Sequence, residues 1–162
     1  MTFTEPNSPN LPDFLVFLAT SVQIPTSALP TDSPWPGYAL TQAIGLVLNP
    51  PGGVSPGILY TLACYNCATH ILLMIAPDQE GQSYFAAIRG NNSSTVPPGL
   101  ALNVPSTGIV VTSSDESTSV GLAKPTWAEG LTVGQLDFFK TPWGRAYLTY
   151  QQSYGPSIVG LT

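Results

Sequence analysis

This sequence has few charged residues. Only 8% of its 162 residues are Asp, Glu, Lys or Arg, whereas about a quarter is usual in soluble domains. Four basic residues stand against nine acids, giving a formal net charge of −5, which excludes the basic surface that nucleic-acid-binding proteins use. Because a free monomer relies on charged surface for solubility, we expect neighbouring molecules to cover much of this chain.

Residues for catalysis or metal binding are also scarce. His70 is the single histidine, and no Ser–His–acid triad can be assigned around it. Cys64 and Cys67 lie in the middle of an apolar segment, whereas CxxC redox chemistry needs a helix N-terminus to lower the thiol pKa. With His70 they supply three metal ligands and no fourth. We predict a protein that is not an enzyme and has no cofactor or metal site; a metal or redox module using Cys64, Cys67 and His70 is an alternative.

Targeting signals are absent from the beginning of the sequence. Residues 1–10 (MTFTEPNSPN) lack the positive and apolar regions of a signal peptide. Two reduced cysteines fit a cytosolic or virion setting, and the length predicts a single domain over 1–162.

The longest apolar segment is Ile58–Ala76, which has no formally charged residue. Ser55 and Pro56 before it match an N-cap followed by proline at the first helical position, and Pro77 closes it. The predicted helix is roughly 30 Å long. Its weakly polar residues form one narrow stripe, and they are Thr61, Tyr65, Asn66, Thr69 and His70. We predict a helix buried on most sides, whose stripe faces another helix of this chain or of a second subunit.

A transmembrane helix over 58–76 is the alternative, because about 20 apolar residues suffice to span a bilayer. No Lys or Arg closely flanks the segment, so the usual topology anchors are missing. A small membrane-associated protein is therefore the rival functional hypothesis.

Caps, prolines and periodicity predict the other elements. The predicted parts are an N-terminal arm (1–10), a helical bundle (11–90), a long loop and hairpin (91–130), C-terminal helices (131–153) and a tail (154–162). Within them we predict helices at 11–21 after Asn10, from Ser33-Pro34 to about Leu48, at 133–139 and at 143–153 after Thr141-Pro142, and a β-hairpin at 108–123. For 83–90 we predict a short helix, with a strand as the alternative. In the second helix we place Leu40, Ala43, Ile44, Val47 and Leu48 on one face and Thr41, Gln42, Gly45 and Asn49 on the other.

The C-terminal helix carries aromatic residues at spacings of four, three and four, which puts them on one face. They are Trp143, Tyr147, Tyr150 and Tyr154. Aromatic residues of this kind anchor protein interfaces, and the alternative is that the face packs on its own bundle. The apolar tail residues Ile158, Val159 and Leu161 are too few to form a core element, so we predict that they dock on a partner.

The run TPWGRAYLTYQQSYGPS at 141–157 resembles the C-terminal signature of small neck proteins of tailed bacteriophages, the head–tail connector, adaptor or head-completion family. That signature is Thr-Pro-aromatic-Gly-basic/polar-aromatic, here Thr141, Pro142, Trp143, Gly144, Arg145 and Tyr147. The similarity extends to the segment 131–140, the Ser-rich segment 111–122 and the helices 34–49 and 56–76. The loop 91–108 and the proline-rich N-terminus depart from the family's pattern.

The resemblance implies a mainly α protein, a small helical bundle of three to five helices with an inserted β-hairpin and extended arms. It implies a structural virion protein at the neck, assembled in the host cytoplasm as a homo-oligomeric ring, typically twelve-fold. Such a ring docks on the phage portal protein, extends the DNA channel to the next neck or tail protein, and has no catalytic activity, cofactor or membrane partner. Packaged DNA passes without specific binding, which the negative net charge suits.

The resemblance and the aromatic pattern together assign partner contacts. The contacts to the portal or a neighbouring subunit are expected at Trp143, Arg145, Tyr147, Tyr150, Tyr154, Ile158, Val159 and Leu161. The contacts to the next ring are expected at the tip of the predicted hairpin, at Asp115 and Glu116.

Overall fold

The apolar segments of this sequence fold mostly into helices. The computed structural model describes residues 3–5, 7–48, 57–90, 109–112, 121–123 and 137–154, and in these it is mainly α-helical, as predicted. The helices are α1 (Leu11–Phe17), α2 (Trp35–Leu46), α3 (Gly57–Ile75), α4 (Tyr84–Gly90) and α5 (Pro142–Tyr154). A single π-helical stretch, Leu18–Val22, continues α1.

Two of the predicted N-caps are confirmed. The side chain of Asn10 accepts a hydrogen bond from the Asp13 N–H at 2.9 Å, and Thr141 Oγ1 accepts one from the Gly144 N–H at 2.8 Å. Each bond satisfies an amide that the first turn of a helix leaves unpaired.

The predicted start and end of the second helix are wrong in detail. Pro34 occupies the cap position of α2 and no side chain caps it, while the buried Ser33 hydroxyl has no hydrogen-bond partner among the described residues. The helix ends at Leu46 instead of Leu48, because Val47 takes an extended conformation. The predicted cap of α3, Ser55-Pro56, lies outside the described residues.

The helix α3 is the centre of the bundle. It packs against α2, α4 and α5, and its side chains at eleven positions are buried. Within the described part of the chain it is the one helix long and apolar enough to cross a membrane, and 61% of its most apolar window is buried inside the protein. The predicted buried central helix is thus confirmed, with its polar stripe turned toward elements of the same chain.

The N-terminal residues dock on the middle of α3. The ring of Tyr65 stacks on Phe14 of α1 and meets Phe3 edge-on, with centroids 5.4 Å apart in both pairs. The Tyr65 hydroxyl accepts a hydrogen bond from the Asn10 N–H and donates one to the Asn10 carbonyl, each 3.1 Å long. Phe3 therefore covers the α1–α3 contact, and this part of the predicted arm belongs to the bundle.

The short helix α4, predicted over 83–90, is tied to the end of α3. Asp78 accepts hydrogen bonds from the Phe85 and Ala86 N–H groups at 2.7 and 2.8 Å. The Arg89 guanidinium donates to the carbonyls of Met74 and Ala76, both at 2.8 Å, which serves oxygens that the last turn of α3 leaves unpaired.

Two short strands, β1 (Ile109–Thr112) and β2 (Gly121–Ala123), pair antiparallel. Ile109 lies opposite Ala123, and the register is irregular between Val110 and Thr112. Residues 113–120 lie outside the described part of the chain, so the predicted inserted hairpin stays a prediction. The same holds for the loop 91–108, for residues 133–136 and for the tail from 155 onward.

Candidate functional site: a buried polar cluster and two exposed faces

The polar residues of α3 meet the segment that precedes α5. His70 is only 3% exposed. Its Nδ1 lies 3.0 Å from Thr141 Oγ1, and its Nε2 lies 3.5 Å from Asp137 Oδ2. The Phe138 ring packs on the imidazole, with centroids 4.5 Å apart. Lys140 Nζ, 2.5 Å from Asp137 Oδ1, completes the cluster at the surface.

The protonation state of His70 follows from these neighbours. The Asp137 carboxylate beside Nε2 can only accept, so we assign the imidazole proton to Nε2. Nδ1 then accepts from the Thr141 hydroxyl, whose oxygen also accepts from the Gly144 N–H. Burial lowers the pKa of His70 from 6.5 to about 4, against the opposing effect of Asp137. The imidazole is therefore neutral at physiological pH.

The Thr141 hydroxyl, the His70 imidazole and the Asp137 carboxylate are arranged in the same order as the catalytic groups of a serine hydrolase. Here, however, their contacts stabilise the fold. Thr141 is fully buried and its oxygen caps α5 by accepting from the Gly144 N–H. A histidine with a pKa of about 4 is also a weak base at neutral pH. The cluster fixes the beginning of α5 on α3.

Gly144 is required where the two segments cross. A Cβ at this position would lie 2.1 Å from the carbonyl oxygen of Phe138, closer than any real contact. The Phe138 ring in turn packs on Tyr147, with centroids 4.8 Å apart. Two residues of the Thr-Pro-Trp-Gly run therefore have a structural role. Thr141 caps α5, and Gly144 allows the helix to pass close to the Phe138 carbonyl.

The cysteines lie in the core. Cys64 and Cys67 are unpaired and fully buried, and burial raises the pKa of their thiols to about 11 and about 12. Such thiols are protonated and inert at neutral pH. In the described parts of the chain no three His, Cys, Asp or Glu residues are grouped so that they could hold a metal ion.

The aromatic face of α5 lies largely against the bundle. Tyr147 is 4% exposed and belongs to the core, so its predicted contact with a partner is not available to its side chain. Trp143 and Tyr150 are partly buried against the same core, and Tyr150 contacts the ring of Tyr154 at 5.1 Å. For Tyr147 the structure agrees with the alternative stated above, packing on its own bundle.

Arg145 is exposed and lies on the opposite side of α5 from the aromatic face, because it stands two residues after Trp143 in the helix. Its Nη1 donates to the carbonyl of Phe139 at 2.8 Å, which holds the guanidinium beside the turn before α5. The other predicted contact residues, Asp115, Glu116, Ile158, Val159 and Leu161, lie outside the described residues.

The second exposed face belongs to α2. Its inner side is formed by Pro36, Ala39, Leu40, Ala43 and Val47, which are buried. Ile44 and Leu48, which we predicted on this inner side, are 41% and 50% exposed, and Tyr38 is 58% exposed. The grouping of Ile44 and Leu48 with the buried residues is wrong, because the buried helical positions 36, 39, 40 and 43 centre on another side of α2 from Ile44, and Leu48 lies beyond the end of the helix.

No protein-family model, no curated protein and no solved structure matches this chain.

Proposed function

We propose that this chain is a structural virion protein of a tailed phage, a head–tail adaptor that forms a ring on the portal and extends the DNA channel. The observation that carries the proposal is its sparsely charged surface with many exposed apolar side chains. Among the described residues, nine large apolar ones are more than a third exposed: Leu11, Val16, Tyr38, Ile44, Leu46, Leu48, Ile58, Leu59 and Ile75. We infer that several of them form patches through which the chain associates, since contiguous exposed apolar surface marks such sites.

The scarcity of charge around these side chains strengthens the argument. Between Asp13 and Asp78, Asp32 is the one formally charged residue. Charged residues are depleted at the core of interfaces, and a chain assembled between neighbours needs little charge for its own solubility. The resemblance of 141–157 to neck proteins supplies the identity of the assembly.

The roles within the adaptor follow from position. The aromatic side of α5, at Trp143, Tyr150 and Tyr154, its opposite side at Arg145, and the tail to 162 bind the portal or a neighbouring subunit. The predicted hairpin with the loop 91–108 meets the next ring. The net charge of −5 keeps DNA from adhering as it moves through the channel.

The test is sedimentation velocity of the purified protein, alone and mixed with portal rings of the phage that encodes it. We expect the full chain to cosediment with the portal. A chain lacking residues 154–162 keeps its helical circular dichroism and does not cosediment, because its docking tail is gone. The Gln82→Ala variant, altered at an exposed residue outside α5, serves as the control and cosediments normally.

Two results would contradict this proposal. Soluble protein that ignores the portal rejects the adaptor function, and normal attachment of the truncated chain rejects the role of the tail. Protein recovered only in detergent favours the membrane alternative, for which the length and hydropathy of α3 are the supporting observation.

A further inference from the structure

The outward face of α2 contains two glycines at positions where neither the backbone conformation nor the described neighbours require glycine. Gly37 and Gly45 both lie inside the helix, and neither has a positive φ. A Cβ placed on either one would meet no atom of the described residues within 4 Å. Alanine would therefore fit at both positions, and it would favour the helix, because glycine is a poor helix former.

These glycines belong to a pattern that is symmetric about Thr41. Glycine stands four residues before and four residues after Thr41, and a large apolar residue, Tyr38 or Ile44, stands three residues before and after it. Thr41 itself is exposed, and its hydroxyl bonds the carbonyl of Gly37 within the helix at 2.8 Å. When two such helices cross antiparallel at Thr41, glycine faces glycine and Tyr38 faces Ile44.

The lack of charge on this face restricts which partners fit it. The helix α2 has no formally charged residue, whereas the chain as a whole has a net charge of −5. Two copies repel each other wherever their acids meet, and this face lets them approach without like charges in contact. A strongly basic or acidic partner would find no complementary charge on it.

We propose that two copies of this chain pair through α2, antiparallel and two-fold symmetric, with the helices closest at Gly37, Thr41 and Gly45. Missing side chains at the glycines let the two backbones come close, and Tyr38 and Ile44 of the two copies pack on either side. A two-fold contact closes after two copies, so it is separate from the ring contact. The proposal does not rest on the adaptor function.

A disulfide at the symmetry centre tests the pairing directly. In the Thr41→Cys variant the two new thiols lie next to each other across the axis, so mild oxidation gives a covalent dimer. Thr149→Cys, the same change at an exposed threonine of α5, is the matched control and stays largely monomeric on a non-reducing gel. Cys64 and Cys67 are buried and do not compete.

Sedimentation equilibrium of the reduced protein gives the second readout. We expect a reversible dimer for the wild type, and at least tenfold weaker dimerisation for Gly45→Leu, whose side chain occupies the crossing point. Because leucine favours a helix more than glycine does, the thermal unfolding midpoint of dilute Gly45→Leu is expected to be no lower than that of the wild type. Loss of dimer is then separated from loss of fold.

Several results would overturn the pairing. These are a wild type that stays monomeric at every concentration, equal cross-linking of the two cysteine variants, and a Gly45→Leu protein that dimerises as the wild type does. A monomer that binds neutral phosphatidylcholine vesicles through this face assigns it to lipid instead. Failure of portal binding with an intact dimer would reject the adaptor function and leave the pairing in place.

Discussion

Replacing Thr141 by valine tests the buried cluster most directly. The threonine hydroxyl accepts from the Gly144 N–H at 2.8 Å and bonds His70 Nδ1 at 3.0 Å. Valine keeps the branched shape and removes both bonds. Loss of an N-cap costs about 1 kcal/mol, and a buried nitrogen left without a partner costs about 1–3 kcal/mol. We therefore expect the free energy of unfolding to fall by about 3 kcal/mol, a large part of the roughly 5–15 kcal/mol of a typical domain.

The assay is urea unfolding followed by circular dichroism. Thr149→Val is the matched control, because its hydroxyl is exposed and bonds only the Arg145 carbonyl of its own helix, at 3.0 Å; we expect a change within about 0.5 kcal/mol there. Thr141→Ser keeps the hydroxyl and recovers most of the stability. A Thr141→Val protein no less stable than Thr149→Val would refute the argument that the cluster fixes α5 on α3.

Further tests address the crossing at Gly144, the exposed Gly45, the protonation of His70 and the burial of the two cysteines. Gly144→Ala forces a Cβ against a backbone carbonyl 2.1 Å away, so we expect the free energy of unfolding in urea to fall by about 3 kcal/mol. In Gly45→Ala the Cβ meets no described atom within 4 Å, so we expect the free energy of unfolding of the dilute monomer to rise by about 0.5–1 kcal/mol. The pKa of His70 rises from about 4 in the folded protein to 6.5 on unfolding. Because the unfolded chain then binds a proton more readily, we expect the free energy of unfolding to fall by about 2 kcal/mol between about pH 7 and pH 5. His70→Gln removes this pH dependence. Cys64 and Cys67, with thiol pKa values of about 11 and 12, react with a thiol reagent only after unfolding.

Each of these has an outcome that contradicts it. Gly144→Ala with wild-type stability would show that the crossing is looser than the structure has it. If the pH dependence of stability is unchanged in His70→Gln, another group causes it. Asp13 is not that group, because the Asn10 amide and the Glu5 N–H lower its pKa from 3.8 to about 2. Its contribution to stability is therefore lost only below the range between about pH 7 and pH 5. Rapid labelling of the native cysteines, at the rate of an exposed Ser153→Cys control, would exclude a fully buried site.

Local signals in the sequence were sufficient for most helices. An Asn-Leu-Pro-Asp start predicts α1, and Thr141-Pro142 predicts α5, since a capping side chain and a proline act on amides within one turn. The uncharged run of α3 predicts a buried helix, because apolar side chains on nearly all sides have to be covered. Where such a signal misled, at Ser33, a proline at 34 took the cap position and left the hydroxyl buried.

The candidate site was harder to predict. The sequence marks His70 as the one histidine, placed on a polar stripe, and Thr141 as a cap. The two residues are 71 positions apart in the chain, and nothing in the sequence between them indicates that their side chains meet. The same limit applies to α2, where periodicity alone placed Ile44 and Leu48 inside; which apolar residues of a helix stay exposed depends on how closely its neighbour approaches.

By itself the sequence determined a mainly helical chain, its caps, its buried central helix and its scarcity of charge, because these depend on residue types and on contacts within a turn or two. The tertiary structure decided which polar groups pair, that Tyr147 belongs to the core, and which face of α2 the described residues leave uncovered. Those outcomes depend on the packing of segments far apart in the chain. Burial then sets the protonation of His70 and the inertness of the thiols, since a charge removed from water needs a partner that only the fold supplies.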